Sequence, residues 1–177
     1  KPPDAPLRLW VPGCSKGQEA YSLAIALWEF FDDQPLRRRF HIFATDLSDP
    51  GSLETARAGV YPESIEGELT PERLHRFFRK EDQFYRIDKT IRDSCVFSRQ
   101  NLIADPPFSH VDLISCRNVL IYMDPVLQRR VVATFHYALN VPGFLILGSS
   151  ETLGDQSGLF EAMDRTNKIY AKQVTGS

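Results

Sequence analysis

Two acidic residues lie where an α/β sheet binds its ligands. Glu19 follows a glycine-containing turn at the start of a predicted helix, in "WVPGCSKGQEAYSLAIAL" (10–27), and Asp46 ends the apolar segment "FHIFATD" (40–46). A helix start that receives a phosphate disfavours an acid, because the carboxylate repels the phosphate that the helix dipole attracts. Glu19 therefore suits a cationic amine better than a phosphate. Asp46 is able to accept hydrogen bonds from both hydroxyls of a ribose.

Further groups lie at the other predicted strand ends. An open parallel sheet binds its ligand beyond the carboxyl ends of its strands, near the point where the strand order reverses. Gly13 and Gly17 let the chain approach a ligand where a Cβ atom would clash. An adenosine with a cationic amino-acid tail meets these demands, and S-adenosylmethionine is such a molecule. The strand-end residues besides the two acids are Asn101, Leu102, Cys116, Arg117, Asn118 and Tyr122.

Each of these residues also has a purely structural interpretation. Glu19 is equally well explained as a first-turn acid favoured by the helix dipole, and Asp46 as the cap of the following turn. Asn101, taken alone, is better explained as a turn residue. The prediction of a site therefore depends on the set, since several strand ends each carry a suitable group.

Composition excludes several classes of function. The chain has 177 residues, of which 42% are hydrophobic, and a formal net charge of −2, which predicts a folded domain without a general affinity for nucleic acid or membranes. Its three cysteines and four histidines lack metal-ligand spacing, so no metal site is expected. Unpaired cysteines favour a reducing cytosol, and no signal peptide or membrane-length apolar run occurs. The ends, "KPPDAP" and "AKQVTGS", are typical of a linker and a polar tail, as in a piece of a longer protein.

Strand and helix patterns alternate along the chain. This alternation predicts an α/β fold with a mainly parallel sheet and helices on both faces. Residues 60–95 interrupt it and are rich in charged and aromatic residues, so we interpret them as a small β-containing insertion whose aromatic residues (Phe77, Phe78, Phe84 and Tyr85) form its core. Strands are predicted at 7–11, 40–46, 83–88, 94–102, 111–115, 143–151 and 168–173, and helices at 19 to about 31, 49–59, 70–80 and from Pro125 through Leu139.

The segment "CRNVLIYMD" (116–124) resembles the catalytic domain of the chemotaxis receptor glutamate O-methyltransferases of the CheR type. The resemblance extends over nearly the whole chain as one domain, 1–177, and is closest to the methyltransferase domain of multidomain sensory proteins. It is carried by "WVPGCSKGQEAYSLAIAL", "FATDLS", "ARAGVY", "FSRQNLI", "DLISCRNVLIYMD", "GFLILGSSE" and "FEAMDRTNKIY".

This resemblance implies a Rossmann-like class I methyltransferase fold and a function. The domain would move a methyl group from S-adenosylmethionine to glutamate carboxylates on the cytoplasmic helices of chemoreceptors, giving methyl esters and S-adenosylhomocysteine. Glu19 and Asp46 would contact polar groups of the cofactor, Asn101 and Leu102 its adenine side, and Cys116, Arg117 and Asn118 the wall at the strand end. Tyr122 and Arg117 would lie at the transfer centre. A carboxylate is already ionised at neutral pH, so no general base is needed.

Some features depart from the family pattern. Lys16 and Gln18 replace the usual Thr and Glu, and the family's N-terminal helical domain would precede Lys1, so we expect this chain alone to bind the cofactor weakly. The segment between Phe78 and Tyr85 is short, which predicts no dependence on a receptor C-terminal pentapeptide. Two alternatives remain: a related methyltransferase with another substrate, and a non-catalytic, cofactor-sensing module in a sensory protein.

Overall fold

A computed structural model describes residues 1–2, 4–32, 39–47 and 49–174, without the side chain of Asp155. The strands are β1 (Leu7–Pro12), β2 (Phe40–Asp46), β3 (Val60–Pro62), β4 (Phe78–Glu81), β5 (Phe84–Ile87), β6 (Cys95–Arg99), β7 (Val111–Cys116), β8 (Leu139–Leu147), β9 (Phe160–Asp164) and β10 (Ile169–Lys172). The helices are α1 (Gln18–Asp32), α2 (Pro50–Ala58), α3 (Pro71–Phe77), α4 (Lys89–Arg92) and α5 (Pro125–Ala138).

Seven strands form the main sheet in the order β6-β2-β1-β7-β8-β10-β9. The first five run parallel, and β10 is antiparallel to both β8 and β9. The chain moves outward from β1 through β2 to β6 and then returns to β7, so the strand order reverses between β1 and β7. Loops that follow these two strands therefore lie at the place where open α/β sheets bind ligands.

Side-chain alternation along β1 gives the sheet a core on each face. Leu9 and Val11 pack into a cluster that includes the buried residues of α1, whereas Trp10 packs into a second cluster with α5. The Trp10 ring meets Phe135 edge-on at 5.5 Å, and its indole N–H donates to Thr45 Oγ1 at 3.1 Å. Helices therefore cover both faces, as the sequence predicts.

Helices α1, α2 and α5 begin and end within one residue of their predicted bounds. Their ends carry local signals that explain this agreement. Asp49 and Asp124 accept hydrogen bonds from first-turn N–H groups, and Gly59 ends α2 in a left-handed conformation with φ +66°.

Three predicted elements have wrong bounds. The strand predicted over 94–102 ends at Arg99. The helix predicted over 70–80 ends at Phe77, because residues 78–80 pair with β5 as part of β4. The strand predicted over 143–151 instead spans Leu139–Leu147, with residues 140–143 bulging between the paired positions Val111–Leu139 and Leu113–Phe144. Strand β9 was not predicted, because its sequence "FEAMD" lacks a strict alternation of apolar and polar residues. Its side chains alternate in burial in the folded sheet, where it pairs with β10.

A small antiparallel sheet, β3-β5-β4, lies within the predicted insertion of residues 60–95. Phe77 and Tyr85 are buried there as expected, whereas Phe84 is exposed. Tyr61 on β3 donates its hydroxyl proton to the carbonyl oxygen of Lys16 at 2.7 Å. The insertion is thereby attached to the turn that follows β1.

Within the described ranges, no helix is long and apolar enough to cross a membrane, and no cluster of His, Cys, Asp and Glu side chains has the arrangement of a metal site. The three cysteines are buried thiols. Tail residues 175–177 lie outside the described residues, and Ala171 and Lys172 of the predicted tail belong to β10.

Gly13 provides a test of how the loops pack. Its φ is +70°, and a Cβ atom there would lie 2.5 Å from Val119 Cγ2, in the loop after β7. We expect Gly13→Ala to lower the free energy of unfolding by about 2–4 kcal/mol, measured by urea denaturation, through left-handed strain and overpacking. At Gly67 an added Cβ meets no atom within 4 Å, so Gly67→Ala is the matched control, with a change within about 1 kcal/mol. Equal losses in both variants would contradict this packing.

Candidate active site

The Asp46 carboxylate lies against the glycine-containing turn after β1. Its Oδ2 accepts a hydrogen bond from the Ser15 N–H at 2.6 Å, and the Cys14 N–H donates to the Thr45 carbonyl at 2.9 Å. Burial raises the pKa of the Cys14 thiol to about 12, and the negative charges of Asp46 and Glu19 add to this shift. Both carboxylates therefore lie close to Cys14, at one end of the sheet.

Glu19 lies in the first turn of α1, and its side chain extends to β7, across the point where the strand order reverses. Its Oε1 accepts a hydrogen bond from the Ser115 hydroxyl on β7 at 2.6 Å. Burial raises the pKa of Glu19, and the Glu151 charge adds to that effect, while Ser115 and the Arg117 cation oppose it. A positively charged ligand beside Glu19 would favour its ionised form, which fits the predicted binding of an amine.

Asn101 and Leu102 have mainly local contacts. The side-chain oxygen of Asn101 accepts hydrogen bonds from the N–H groups of Ile103 at 2.9 Å and Ala104 at 3.1 Å, which closes the turn after β6. The turn interpretation therefore accounts for this oxygen. Leu102 packs against the core cluster of Trp10 and α5. Contacts of both residues with an adenine stay a prediction.

The residues after β7 differ sharply in exposure. Cys116 is fully buried in the core beside α5, so its thiol lines no surface and only its backbone remains as a ligand contact. Arg117 and Asn118 follow it and are exposed, with Asn118 in a left-handed conformation at φ +60°. Tyr122 is 85% exposed at the end of a short 3-10 helix, Leu120–Tyr122. Exposure leaves the last three side chains accessible to substrates, and their roles stay predictions.

Glu151 is a residue of this site that sequence reasoning missed. It is only 2% exposed, yet its carboxylate accepts hydrogen bonds from five backbone N–H groups. The donor-to-acceptor distances are 2.7 Å from Asn118, 3.0 Å from Val119, 2.6 Å from Leu120, 3.3 Å from Ile121 and 2.8 Å from Gly148. One side chain in the loop after β8 thus fixes the loop after β7. The acid in "GSSE" was the available signal, but four of its five partners lie 30 to 33 residues earlier.

Gly148 is required by the same contact. A Cβ atom at this position would lie 2.8 Å from both Asn118 Oδ1 and Glu151 Oε1. Any larger residue would push the two loops apart. The backbone of the loop after β7 is therefore held in place by Glu151, and the absence of a side chain at Gly148 leaves room for this contact.

We expect Glu151→Gln to lower the free energy of unfolding by about 3 kcal/mol or more in urea denaturation. The substituted amide presents two N–H donors to backbone N–H groups that need an acceptor. Glu161 is exposed on β9, so Glu161→Gln removes the same charge without this contact and should change stability by no more than about 0.5 kcal/mol. Similar stabilities of the two variants would show that the Glu151 contacts contribute little.

Comparison with known proteins identifies the family of the chain. The family described as CheR methyltransferase, SAM binding domain matches residues 2–169. Chemotaxis protein methyltransferase 1 of Pseudomonas aeruginosa is 39% identical over 155 residues, which cover 84% of this chain and 56% of that protein. The chemotaxis protein methyltransferase of Borreliella burgdorferi is 32% identical over 165 residues, covering 92% and 58%. A 104.1 kDa protein of Rhodobacter capsulatus is 40% identical over 164 residues, covering 93% of this chain and 17% of that protein. The chain thus spans from 17% to 58% of these relatives' lengths.

Solved structures share the fold at low sequence identity. The glycopeptide N-methyltransferase MtfA, complexed with sinefungin, matches with a TM-score of 0.51 and 12% identity, covering 81% of this chain and 43% of that one. The DszA carbon methyltransferase matches with a TM-score of 0.51 and 14% identity, covering 86% and 31%. These likenesses confirm the predicted Rossmann-like methyltransferase fold. Because the family match covers nearly all of the sequence, the chain belongs to the CheR methyltransferase family, as its SAM-binding domain.

Proposed function

We propose that this domain transfers a methyl group from S-adenosylmethionine to glutamate side-chain carboxylates of chemoreceptors. The observation that carries the proposal is the pair of acids at the point where the strand order reverses: Asp46 is bonded to the turn after β1 through the Ser15 N–H, and Glu19 is bonded to β7 through the Ser115 hydroxyl. Family membership and the names of the chemotaxis methyltransferase relatives support the same activity. A cytoplasmic location belongs to this proposal, because the substrate helices are cytoplasmic.

The chain's residues fit the two polar ends of such a donor. Asp46 would accept hydrogen bonds from the ribose hydroxyls, and Glu19 would pair with the amine of the methionine portion. Asn101 and Leu102 would border the adenine, while Cys116, Arg117 and Asn118 would form the wall after β7. Each of these residues lies at or just after the carboxyl end of a strand of the main sheet or, for Glu19, at the start of the first helix.

The reaction needs little proton chemistry from the protein. A glutamate oxygen forms the new O–CH₃ bond while the S–CH₃ bond breaks with its electron pair left on sulfur, so the carboxylate and sulfonium charges disappear together. Glutamate, with an ordinary pKa of about 4.3, is ionised at neutral pH, so no base has to remove a proton. The protein contributes orientation and exclusion of water. Glu151 holds the backbone on which Arg117, Asn118 and Tyr122 face the acceptor.

Lys16, which replaces the family's usual Thr, lies in the turn after β1, and a contact that holds this turn does not involve its side chain. Tyr61 binds the backbone carbonyl of Lys16 rather than its side chain. The contacts with Tyr61 and Asp46 therefore hold this turn through backbone atoms of Lys16 and Ser15. Such a turn fits donor binding both in an active transferase and in a cofactor-sensing module, and the methyl-transfer assay below distinguishes the two.

Calorimetry with S-adenosylhomocysteine, on the full-length protein, tests donor binding. We expect Asp46→Asn to weaken binding by about 10-fold or more, since it removes one charged acceptor for the ribose hydroxyls. Asp82 is exposed with φ +55° in the turn between β4 and β5. Asp82→Asn removes an equal charge away from the site and should leave the affinity unchanged.

Unchanged affinity in Asp46→Asn would contradict the donor site. Radiolabelled S-adenosylmethionine with chemoreceptor cytoplasmic fragments then tests the transfer, because base-labile label in the receptor marks a glutamate methyl ester. Tight donor binding without labelled receptor would overturn the transferase proposal and support the cofactor-sensing module.

Receptor recognition without a pentapeptide tether is part of this proposal. Strands β4 and β5 are joined by residues 82–83 alone, which leaves no glycine-containing loop between them. We expect titration of the wild-type protein with a receptor C-terminal pentapeptide to show no saturable binding at micromolar concentrations. Micromolar capture of the peptide would contradict the tether-independent mode, and a receptor lacking the pentapeptide should be methylated as fast as the intact one.

A further inference from the structure

A polar hollow of about 290 Å³ lies beyond the end of β8, on the opposite side of β7 from the donor acids. We call it the β8-end hollow. The charged residues that line it, among those the structure describes, are two cations, Arg117 after β7 and Lys168 in the turn between β9 and β10. Ser149, Thr166 and Asn167 add neutral polar groups, and β8 provides an apolar base. Such a lining suits an anion that carries an aliphatic stem.

The turn that carries Lys168 is fixed beside the strand end. The Leu147 N–H donates to the Lys168 carbonyl oxygen at 3.0 Å, and Lys168 has φ +55°. Asp164, an acid at the start of this turn, accepts hydrogen bonds from the Asn167 backbone N–H at 3.0 Å and its side-chain amide at 2.7 Å. These bonds lower the pKa of Asp164, and both of its carboxylate oxygens bind Asn167 within the turn.

Neither cation is neutralised by a salt bridge among the described residues. Arg117 is close enough to Glu19 to lower its pKa, so it lies between the donor acids and the hollow. Lys168 is half-buried and lines the hollow. Apart from Glu151, whose buried carboxylate is bonded to five backbone N–H groups, the charged side chains discussed here are divided along the carboxyl ends of the strands. The acids Glu19 and Asp46 lie on the β1–β2 side, and the cations Arg117 and Lys168 lie on the β7–β8 side.

We infer that the β8-end hollow receives the acceptor, a carboxylate-bearing side chain of a protein helix, and that Lys168 selects it together with Arg117. This assignment rests on the proposed methyl transfer. The donor's cationic groups belong beside Glu19 and Asp46, so an anionic acceptor approaches with least repulsion from the cationic side. The aliphatic part of a glutamate side chain then packs on β8 while its carboxylate turns toward Arg117 and the donor.

The direction of charge change predicts which kinetic constant depends on Lys168. The acceptor carboxylate loses its charge as the ester forms, so a cation stabilises the bound substrate more than the transition state. Removing this cation should weaken acceptor binding without slowing the chemical step. Lys168 is thus a specificity residue for the acceptor, distinct from any group that acts on the methyl donor.

Lys168→Met in the full-length protein tests the inference, because methionine keeps an unbranched stem and removes the charge. With a chemoreceptor cytoplasmic fragment as acceptor, we expect KM for the fragment to rise about 10-fold, the scale of one charge-assisted hydrogen bond. The kcat should stay within about twofold, and the affinity for S-adenosylhomocysteine should be unchanged. Arg165→Met is the matched control, since Arg165 is exposed in the same turn but does not line the hollow.

Equal rises in KM for Lys168→Met and Arg165→Met would overturn the inference, because a general electrostatic field would then explain both. A lower kcat with unchanged KM would also overturn it. If the wild-type protein transfers no methyl group, the proposed function is wrong. Binding of the receptor fragment in the presence of S-adenosylhomocysteine then tests separately whether the β8-end hollow binds the acceptor. Weaker binding by Lys168→Met than by Arg165→Met supports the acceptor site, and equal binding rejects it.

Discussion

The buried carboxylate of Glu151 organises the loops on which the candidate site depends. Five backbone N–H groups point at its two oxygens, four from residues 118–121 and one from Gly148. Burying a carboxylate without partners costs several kcal/mol, so the loop after β7 is not free to move away without leaving that charge unsatisfied. The exposed side chains of Arg117, Asn118 and Tyr122 consequently project from a backbone that is already ordered. Because this loop is ordered before the substrates bind, less of their binding free energy is lost in ordering it.

Charge separation along the sheet edge follows from the topology. The strand order reverses between β1 and β7, so groups from the first half of the chain lie on one side of this point and groups from the second half on the other. Glu19 and Asp46 lie on the first side, while the exposed or half-buried cations Arg117 and Lys168 lie on the second, where the one acid discussed, Glu151, is buried against backbone N–H groups. A reaction between a cationic donor and an anionic acceptor matches that division, because each partner meets charge of the opposite sign.

The small sheet contacts the turn after β1 through Tyr61, in addition to its packing against α1. The Tyr61 hydroxyl on β3 donates to the Lys16 carbonyl. Its ring lies edge-on to that of Tyr21 on α1, with the two ring centroids 6.3 Å apart. The insertion therefore directly contacts the turn after β1 that carries Gly13 and Gly17. Whatever surface the insertion offers to a partner is held at a fixed position relative to Gly13 and Gly17.

Local sequence was sufficient wherever an element is specified by its own residues. Apolar periodicity and capping residues located β1, β2, α1, α2 and α5, because burial of one face and satisfaction of helix ends are decided within the segment. The carboxylates Glu19 and Asp46 were identifiable for the same reason, since each lies next to a recognisable strand or helix end. Tertiary pairing decided the rest: residues 78–80 became a strand through β5, and residues 140–143 bulged to keep β8 in register with β7. The partners of Glu151 and the cationic hollow beside Lys168 bring together residues far apart in the chain, and one-dimensional spacing contains no information on which distant N–H groups or charges will meet.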